Sequence, residues 1–177
     1  VQEKRVKDIM VPAEEYSIVS ATCTLRQAVR VMRNSIHRLN NRDPHCSGHR
    51  SVLVYDEDNE LAGLLTFRAV MEAVEPPFLK VGYLVPGFFE GIFSTKCIQE
   101  ANRKVTEVMI PIKDITLKPE DTLLKAVHIM LQNRLSSLPV VNSRNRVIGM
   151  VRNVEIFQEI ANIISSENND TDNCKAS

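Results

Sequence analysis

The chain has no tryptophan, six glycines and four cysteines in 177 residues. The cysteines, Cys23, Cys46, Cys97 and Cys174, are scattered and form no Cys-x-x-Cys pair. That argues against a disulfide scaffold and for a reducing compartment. Net charge is also missing, because 22 basic side chains cancel 22 acidic ones. Such a balance favours neither nucleic acid nor a membrane surface as partner. No apolar run approaches the roughly 20 residues that a membrane-spanning helix needs. No basic-then-apolar signal segment opens the chain, so a cytoplasmic protein is expected. The first residue is Val1, which fits a trimmed piece. Catalytic signatures are absent too: no Ser-His-Asp spacing, no phosphate-binding Gly-x-x-x-x-Gly-Lys-Ser/Thr, no Gly-x-Gly-x-x-Gly and no His-Glu-x-x-His. Asp43 beside His45-Cys46 is the lone nucleophile-and-base cluster, and it falls in a polar stretch. The expectation is a protein that is not an enzyme.

What is present is a repeat. Val6-Lys7-Asp8-Ile9-Met10-Val11-Pro12 returns as Val105-Thr106-Glu107-Val108-Met109-Ile110-Pro111, at an offset of 99. Thr24-Leu25-Arg26-Gln27-Ala28-Val29-Arg30-Val31-Met32 returns from Thr122 to Met130 at 98. Ser51-Val52-Leu53-Val54 aligns with Leu138-Pro139-Val140-Val141 at 87, and Gly63-Leu64-Leu65-Thr66 with Gly149-Met150-Val151-Arg152 at 86. The drop in offset places about 11 extra residues in the first copy, between Met32 and Ser51. Two copies of roughly 60 residues are each marginal as a lone core, so they are expected to bury a shared face.

Both copies carry the same local signals. Ser17-Ile18-Val19 reads as a short buried strand. Thr24-x-x-Gln27 has capping-box spacing, and Leu25, Ala28, Val29 and Met32 then fall on one helical face. Leu123, Ala126, Val127 and Met130 draw that face again. Residues 34–50 are polar, with Pro44 and Gly48, and read as an inserted loop. His37, His45, Cys46 and His49 give this loop a metal-binding composition, but their spacing fits no standard finger, and no metal site is assigned. Val52-Leu53-Val54-Tyr55 and Leu61-Ala62-Gly63-Leu64-Leu65 read as strands covered on both faces. The final helix shows Val154, Phe157, Ile160, Ala161 and Ile164 at helical spacing. Residues 78–103 form a connector holding four of the six phenylalanines, Phe78, Phe88, Phe89 and Phe93. Its aromatic surface must cover itself on the protein's own flank, a second subunit or a partner. The boundaries expected are 1–77 for the first repeat, 104–165 for the second and 166–177 for a polar tail.

The order Asp/Glu-Ile/Val-Met-x-Pro, short strand, amphipathic helix, strand, turn, Gly-x-x-Thr and helix, met twice, resembles a tandem pair of cystathionine β-synthase (CBS) domains, a Bateman module. That resemblance implies an α/β (α+β-like) fold of two β-α-β-β-α repeats packed sheet to sheet with pseudo-twofold symmetry. It implies clefts between the repeats that take an adenosine-containing ligand, AMP, ADP, ATP or S-adenosylmethionine, with no cofactor required. It also implies a homodimer and a regulated protein partner. Family members carry Gly-x-x-Thr-x-x-Asp where a strand turns into a helix. The first copy keeps Gly63 and Thr66 but has Ala69 in the acid's place; the second keeps an acid, Glu155, but has Arg152 for the threonine. His49-Arg50 stands where phosphate-binding members have a basic pair, and Ser136-Ser137 takes the matching place. Ile18, Val19, Ile115, Thr116 and Pro139 are the expected adenine slot. With Glu155 on ribose and Arg152 near phosphate, the second-copy site is expected to be the better one. The alternative is a dimerisation or interaction module whose clefts no longer bind nucleotide.

Overall fold

The computed structural model describes residues 3–40, 51–81, 91–112 and 115–167. Helices and strands mix in an α+β fold with two sheets. The chain divides into two compact units, one of Val1–Pro12 with Ile115–Ser177 and one of Ala13–Asp114.

The N-terminal stretch makes a short helix α1 (Val6–Ile9) and a two-residue strand β1 (Val11–Pro12). In the Ala13–Asp114 unit, β2 (Ile18–Ser20) leads through helix α2 (Leu25–Asn40) to β3 (Ser51–Tyr55), which runs parallel to β2. A tight turn then returns the chain as β4 (Leu61–Thr66), and helix α3 (Phe67–Val74) follows without a break. Helix α4 (Ile92–Glu100) lies in the expected connector, and strand β5 (Ile110–Pro111) closes the sheet in the order β2-β3-β4-β5. The other unit repeats the plan with α5 (Leu123–Asn133), the hairpin β6 (Ser137–Val141) and β7 (Val147–Arg152), and α6 (Asn153–Glu167). Leu117 makes a single parallel bridge to Val140, the counterpart of β2 beside β3.

The helix signals hold at the atomic level. Gln27 N–H donates to Thr24 Oγ1 at 3.3 Å, and Thr24 N–H donates to Gln27 Oε1 at 2.9 Å, a complete capping box. Thr122 starts α5 by accepting from Lys125 N–H at 3.2 Å. Leu25, Ala28 and Met32 are buried with Val52, Val54 and Leu65 in one core cluster. The α2 helix runs on through Asn40, where composition predicts a loop from Asn34. Ser35, early in this extension, is buried, and its hydroxyl bonds to Ser17 Oγ at 2.5 Å and donates to the Val31 carbonyl at 3.0 Å. The remaining residues of the expected insert, 41–50, lie outside the described residues, as do the connector residues 82–90 and the tail residues 168–177.

Three expectations need correction. Ile18 is 58% exposed and only Val19 of β2 is buried, because the strand presents one face outward. On α6 the buried residue is Ile156, while Phe157, Ile160 and Ile164 stay exposed. Strand register differs by one residue from the 87 offset. Ser51 faces Thr66 and Ser137 faces Arg152, while Val54 faces Gly63 and Val140 faces Gly149. An apolar run buried on both faces does not encode its own register, so the slip leaves no trace in the hydrophobic pattern.

The two-residue strands are exchanged between the repeats. β1, from the first repeat, pairs with β7 of the second, Val11 opposite Met150 and Pro12 opposite Gly149. β5, from the second, pairs with β4 of the first, Ile110 opposite Leu64 and Pro111 opposite Gly63. The valine that leads each strand is fully buried and tied to the helix start of the same unit: Val6 N–H donates to the Asp121 carbonyl, and Val105 N–H to that of Cys23. Each opposing glycine is required by closeness. A Cβ on Gly63 would lie 2.6 Å from Met109 Sδ and 2.7 Å from the Ile110 carbonyl oxygen; on Gly149 it would lie 2.9 Å from the Val11 carbonyl oxygen and 3.0 Å from Met10 Sδ. Gly63→Ala should therefore destabilise by about 1–3 kcal/mol, and Gly149→Ala by less, in urea denaturation. Equal stability of Gly63→Ala and the parent would contradict the close approach.

Asp121 ties this region to pH. Burial pushes its carboxyl up, but the hydrogen bond from Lys125 Nζ at 2.8 Å and that from Lys118 N–H at 2.8 Å outweigh it and hold it below the usual carboxylate range. A lowered folded-state value adds stability above the unfolded value, about 3.9, and loses it as pH falls through the folded one. Asp121→Asn should therefore be less stable at neutral pH and lose less on acidification, as measured by urea midpoints across that window.

Candidate functional site

The strand-to-helix turns of the two units are equivalent places with different chemistry. In the Ala13–Asp114 unit, Thr66 closes β4 in extended conformation and caps α3, its Oγ1 accepting from Ala69 N–H at 3.1 Å. It is buried, and across the sheet it faces the buried Ser51. In the other unit, Arg152 occupies the cap position before α6 and faces the buried Ser137. Here Glu155 supplies the reciprocal bond: its Oε2 accepts from Arg152 N–H at 3.1 Å. The Arg152 Nε also donates to Glu155 Oε1 at 2.8 Å and Oε2 at 2.9 Å, and its Nη2 reaches Oε1 as well. Both side chains are largely covered, 18% and 13% exposed. A charge-assisted fork of this kind is a strong pairing.

Together these are the two halves of a capping box. The first copy keeps the hydroxyl that bonds the third residue of the helix. The second keeps the carboxylate that bonds back to the cap residue. In this chain the positions of the Gly-x-x-Thr-x-x-Asp pattern form a helix start, and each copy retains one arm of the capping box.

The structure gathers Ser136, Ser137, Arg152 and Glu155 at the start of α6, where Asn153 N–H also donates to the Ser136 carbonyl at 2.8 Å. Pro139 is buried on β6, and its carbonyl accepts from Leu117 N–H at 2.8 Å, which sets the half-buried Ile115 and Thr116 just before that contact. In the Ala13–Asp114 unit, Thr66 lies at one edge of β3 and Ile18 and Val19 at the other. His49 and Arg50 lie outside the described residues. Ser51 is not singled out by the sequence pattern; the signal for it is the 86 offset, which makes it the counterpart of Ser137 in the repeat. Among the described residues, no group of three or more His, Cys, Asp or Glu could hold a metal ion. Burial pushes the Cys23 thiol up, against a weaker opposing backbone hydrogen bond, the reverse of an activated nucleophile. Among the described residues, no helix is long and apolar enough to cross a membrane.

Each unit also has an apolar groove between two of its helices. Val29, Met32, Arg33, Phe67, Val70 and Met71 line that between α2 and α3. Met130, Leu131, Leu135, Ile156, Phe157 and Ile160 line most of that between α5 and α6.

A family model described as CBS domain matches residues 6–76 and 105–162. No curated protein matches the chain in sequence. Among solved structures, the CBS-pair protein CBSX2 from Arabidopsis thaliana is 15% identical, with TM-score 0.64, covering 93% of this chain and 99% of that one. CBSX2 in complex with AMP gives 16% identity and TM-score 0.59, covering 91% and 98%. The cytosolic domain of the Mg2+ channel MgtE in complex with ATP gives 19% identity and TM-score 0.57, covering 89% of this chain and 49% of that one.

Glu155→Gln keeps the shape of the side chain but removes the charge that faces Arg152. It should lower stability by about 1.5–3 kcal/mol in urea denaturation at neutral pH. An unchanged midpoint would mean that the fork contributes nothing to holding the start of α6.

Proposed function

The chain belongs to the CBS domain family, and on that premise we propose that it is a regulatory module that senses an adenosine-containing nucleotide and has no chemistry of its own. The carrying observation is the convergence of hydroxyl, guanidinium and carboxylate groups at the start of α6, on Ser137, Arg152 and Glu155. A ribose needs acceptors for its hydroxyls, and a phosphate needs N–H and cationic donors; a helix start offers backbone N–H groups for the same anion. AMP and ATP in the structural relatives support the ligand class. The Thr66 turn, without an acid, is the weaker site. Binding would act by favouring one arrangement of the protein over another, which a partner reads.

A homodimer belongs to the same reading. Leu131 is 74% exposed and Phe157 68% exposed on the α5–α6 groove, with Leu124, Ile160, Ile163 and Ile164 exposed on the same two helices. An apolar surface of this kind is suited to a second copy.

A second reading has one specific observation in its favour. Arg152 and Glu155 already satisfy each other, so a nucleotide must compete with an ion pair that is in place. On that reading the clefts are idle and the module only assembles.

Calorimetry with AMP, ADP, ATP and S-adenosylmethionine separates the two. The sensing reading expects saturable binding of at least one, with about 2.7 kcal/mol of added stability at 100 times the dissociation constant. Glu155→Gln should weaken binding by about tenfold or more, and Thr66→Ala by less. No binding by any of the four, or loss in Thr66→Ala alone, would overturn it. For the dimer, Leu131→Glu with Phe157→Glu should yield a monomer in sedimentation equilibrium, whereas an unchanged mass would exclude that face.

A further inference from the structure

The grooves of the two units stand at equivalent places, but their rims differ. On α2, Arg26, Arg30 and Arg33 stand at i, i+4 and i+7, so they line one side of the helix, and Arg33 itself lines the α2–α3 groove. All three are exposed, and among the described residues no carboxylate pairs with any of them. At the offset of 98 that relates the helices, the same places on α5 are Leu124, His128 and Leu131. At the offset of 86, the ion pair of Arg68 and Glu72 on α3 gives way to Val154 and Gln158 on α6, and Met71 to Phe157. From Phe157 to Ser166 every exposed residue of α6 is uncharged, and Glu159 is largely covered and paired with Lys4. One groove therefore has a cationic rim. The other has a neutral rim from which Leu131 and Phe157 project.

A stable interface uses about 20–30 residues a side. Six residues line one groove and eight the other, so neither helix pair supplies that many alone. A dimer of this chain that is to hold needs both faces of each copy. Two arrangements use both: like face on like face, or the faces crossed. Pairing like with like sets the arginines of one copy against the same arginines of the second, and like charges opposed across an interface are repelled. Crossing sets them instead against the neutral α5–α6 rim. There the arginine stems can lie along leucine while the guanidinium heads stay in water. The two helix pairs share one backbone plan, so the side chains decide between the arrangements.

We infer that the homodimer is crossed: the α2–α3 face of one copy seats on the α5–α6 face of a second copy, with Leu131 and Phe157 directed into the arginine-rimmed groove. That groove, about 310 Å³, has room for apolar side chains of this size. Arg26, Arg30 and Arg33 set the orientation by excluding the like-with-like pairing, and specificity obtained by repulsion adds no affinity of its own. The inference rests on the homodimer reading above and states which face meets which. No nucleotide enters its test.

The test is sedimentation equilibrium of the full chain, with circular dichroism as the check on folding. The parent is expected to be a dimer. Val29→Lys with Met71→Lys opens one face, and Leu131→Lys with Phe157→Lys opens the other; each double variant alone should be a monomer. Where the first double variant loses helical signal, Met71→Lys alone, at an exposed place, takes its part. Mixed in equal amounts, the two variants should dimerise, because the intact α2–α3 face of one meets the intact α5–α6 face of the other. Like-with-like pairing would leave each variant an intact contact, so each would dimerise alone and not with the other. Contact through α5–α6 only would leave the α2–α3 variant at the parent's mass. Either result would overturn the inference. The arginines have their own readout. Leu131→Lys should raise the dissociation constant at least about tenfold more than Leu131→Glu, equivalent to about 1.4 kcal/mol. Arg30→Gln with Arg33→Gln should erase that difference. Equal effects of lysine and glutamate at 131 would remove the arginines from the contact and overturn the crossed arrangement. A monomeric parent would overturn the homodimer reading together with this inference, whereas a dimeric parent whose variants do not complement would overturn this inference alone.

Discussion

Two strands of two residues each complete the sheets. Val11–Pro12 closes the sheet of the second repeat, and Ile110–Pro111 closes that of the first. A two-residue strand adds few hydrogen bonds, so its hold depends on close approach. The bare faces of Gly149 and Gly63 let the backbone and the methionine sulfur of each lead-in segment come within contact distance. The fully buried Val6 and Val105, hydrogen-bonded to the residues just ahead of α5 and α2, fix the other end of each segment. Neither repeat therefore completes its sheet from its own residues. The partners in each pairing are far apart in sequence, and such contacts incur their loop-closure cost before they return any energy.

The turns that follow the paired strands hold the polar side chains on which the proposed site rests. β4 and β7 run from the glycine to the cap residue within one strand, so the contact at Gly63 or Gly149 and the cap at Thr66 or Arg152 sit on a single rigid element. In one unit the cap is a buried hydroxyl; in the other it is an arginine held by Glu155. A change in how Glu155 is engaged, whether by Arg152 or by a ribose, would be felt at the start of α6, one wall of the groove proposed for self-association. The groove of the other unit is lined by Arg33 among apolar side chains. The two repeats share a backbone plan and differ in the side chains of these turns and grooves.

Much of this was legible in the residues. The repeat, the capping box at Thr24 and Gln27, the core stripe Leu25-Ala28-Met32 and the paired strands all follow from local pattern, because one residue's neighbours three or four places away decide them. The register of β3 and β6 did not, since Val52-Leu53-Val54 is buried on both faces and alternation carries no information there. The helical state of Asn34 to Asn40 is masked by a polar composition, and the bond between Ser35 and Ser17 that accompanies it is a tertiary contact invisible to composition. Phe157 and Ile160 look like core by spacing yet are exposed, since periodicity identifies an apolar face but not what covers it. The exchange of lead-in strands was hidden because the two Met-x-Pro segments are nearly identical, and either could have closed either sheet. The mutual pairing of Arg152 and Glu155 could be anticipated from their three-residue spacing, but both were read toward a ligand.

Cross-strand nuclear Overhauser effects in the labelled full-length chain test the exchange directly. Backbone contacts should join Val11 to Met150 and Ile110 to Leu64. Contacts joining Val11 to Leu64 and Ile110 to Met150 would mean that each repeat closes on its own strand, and would contradict the account.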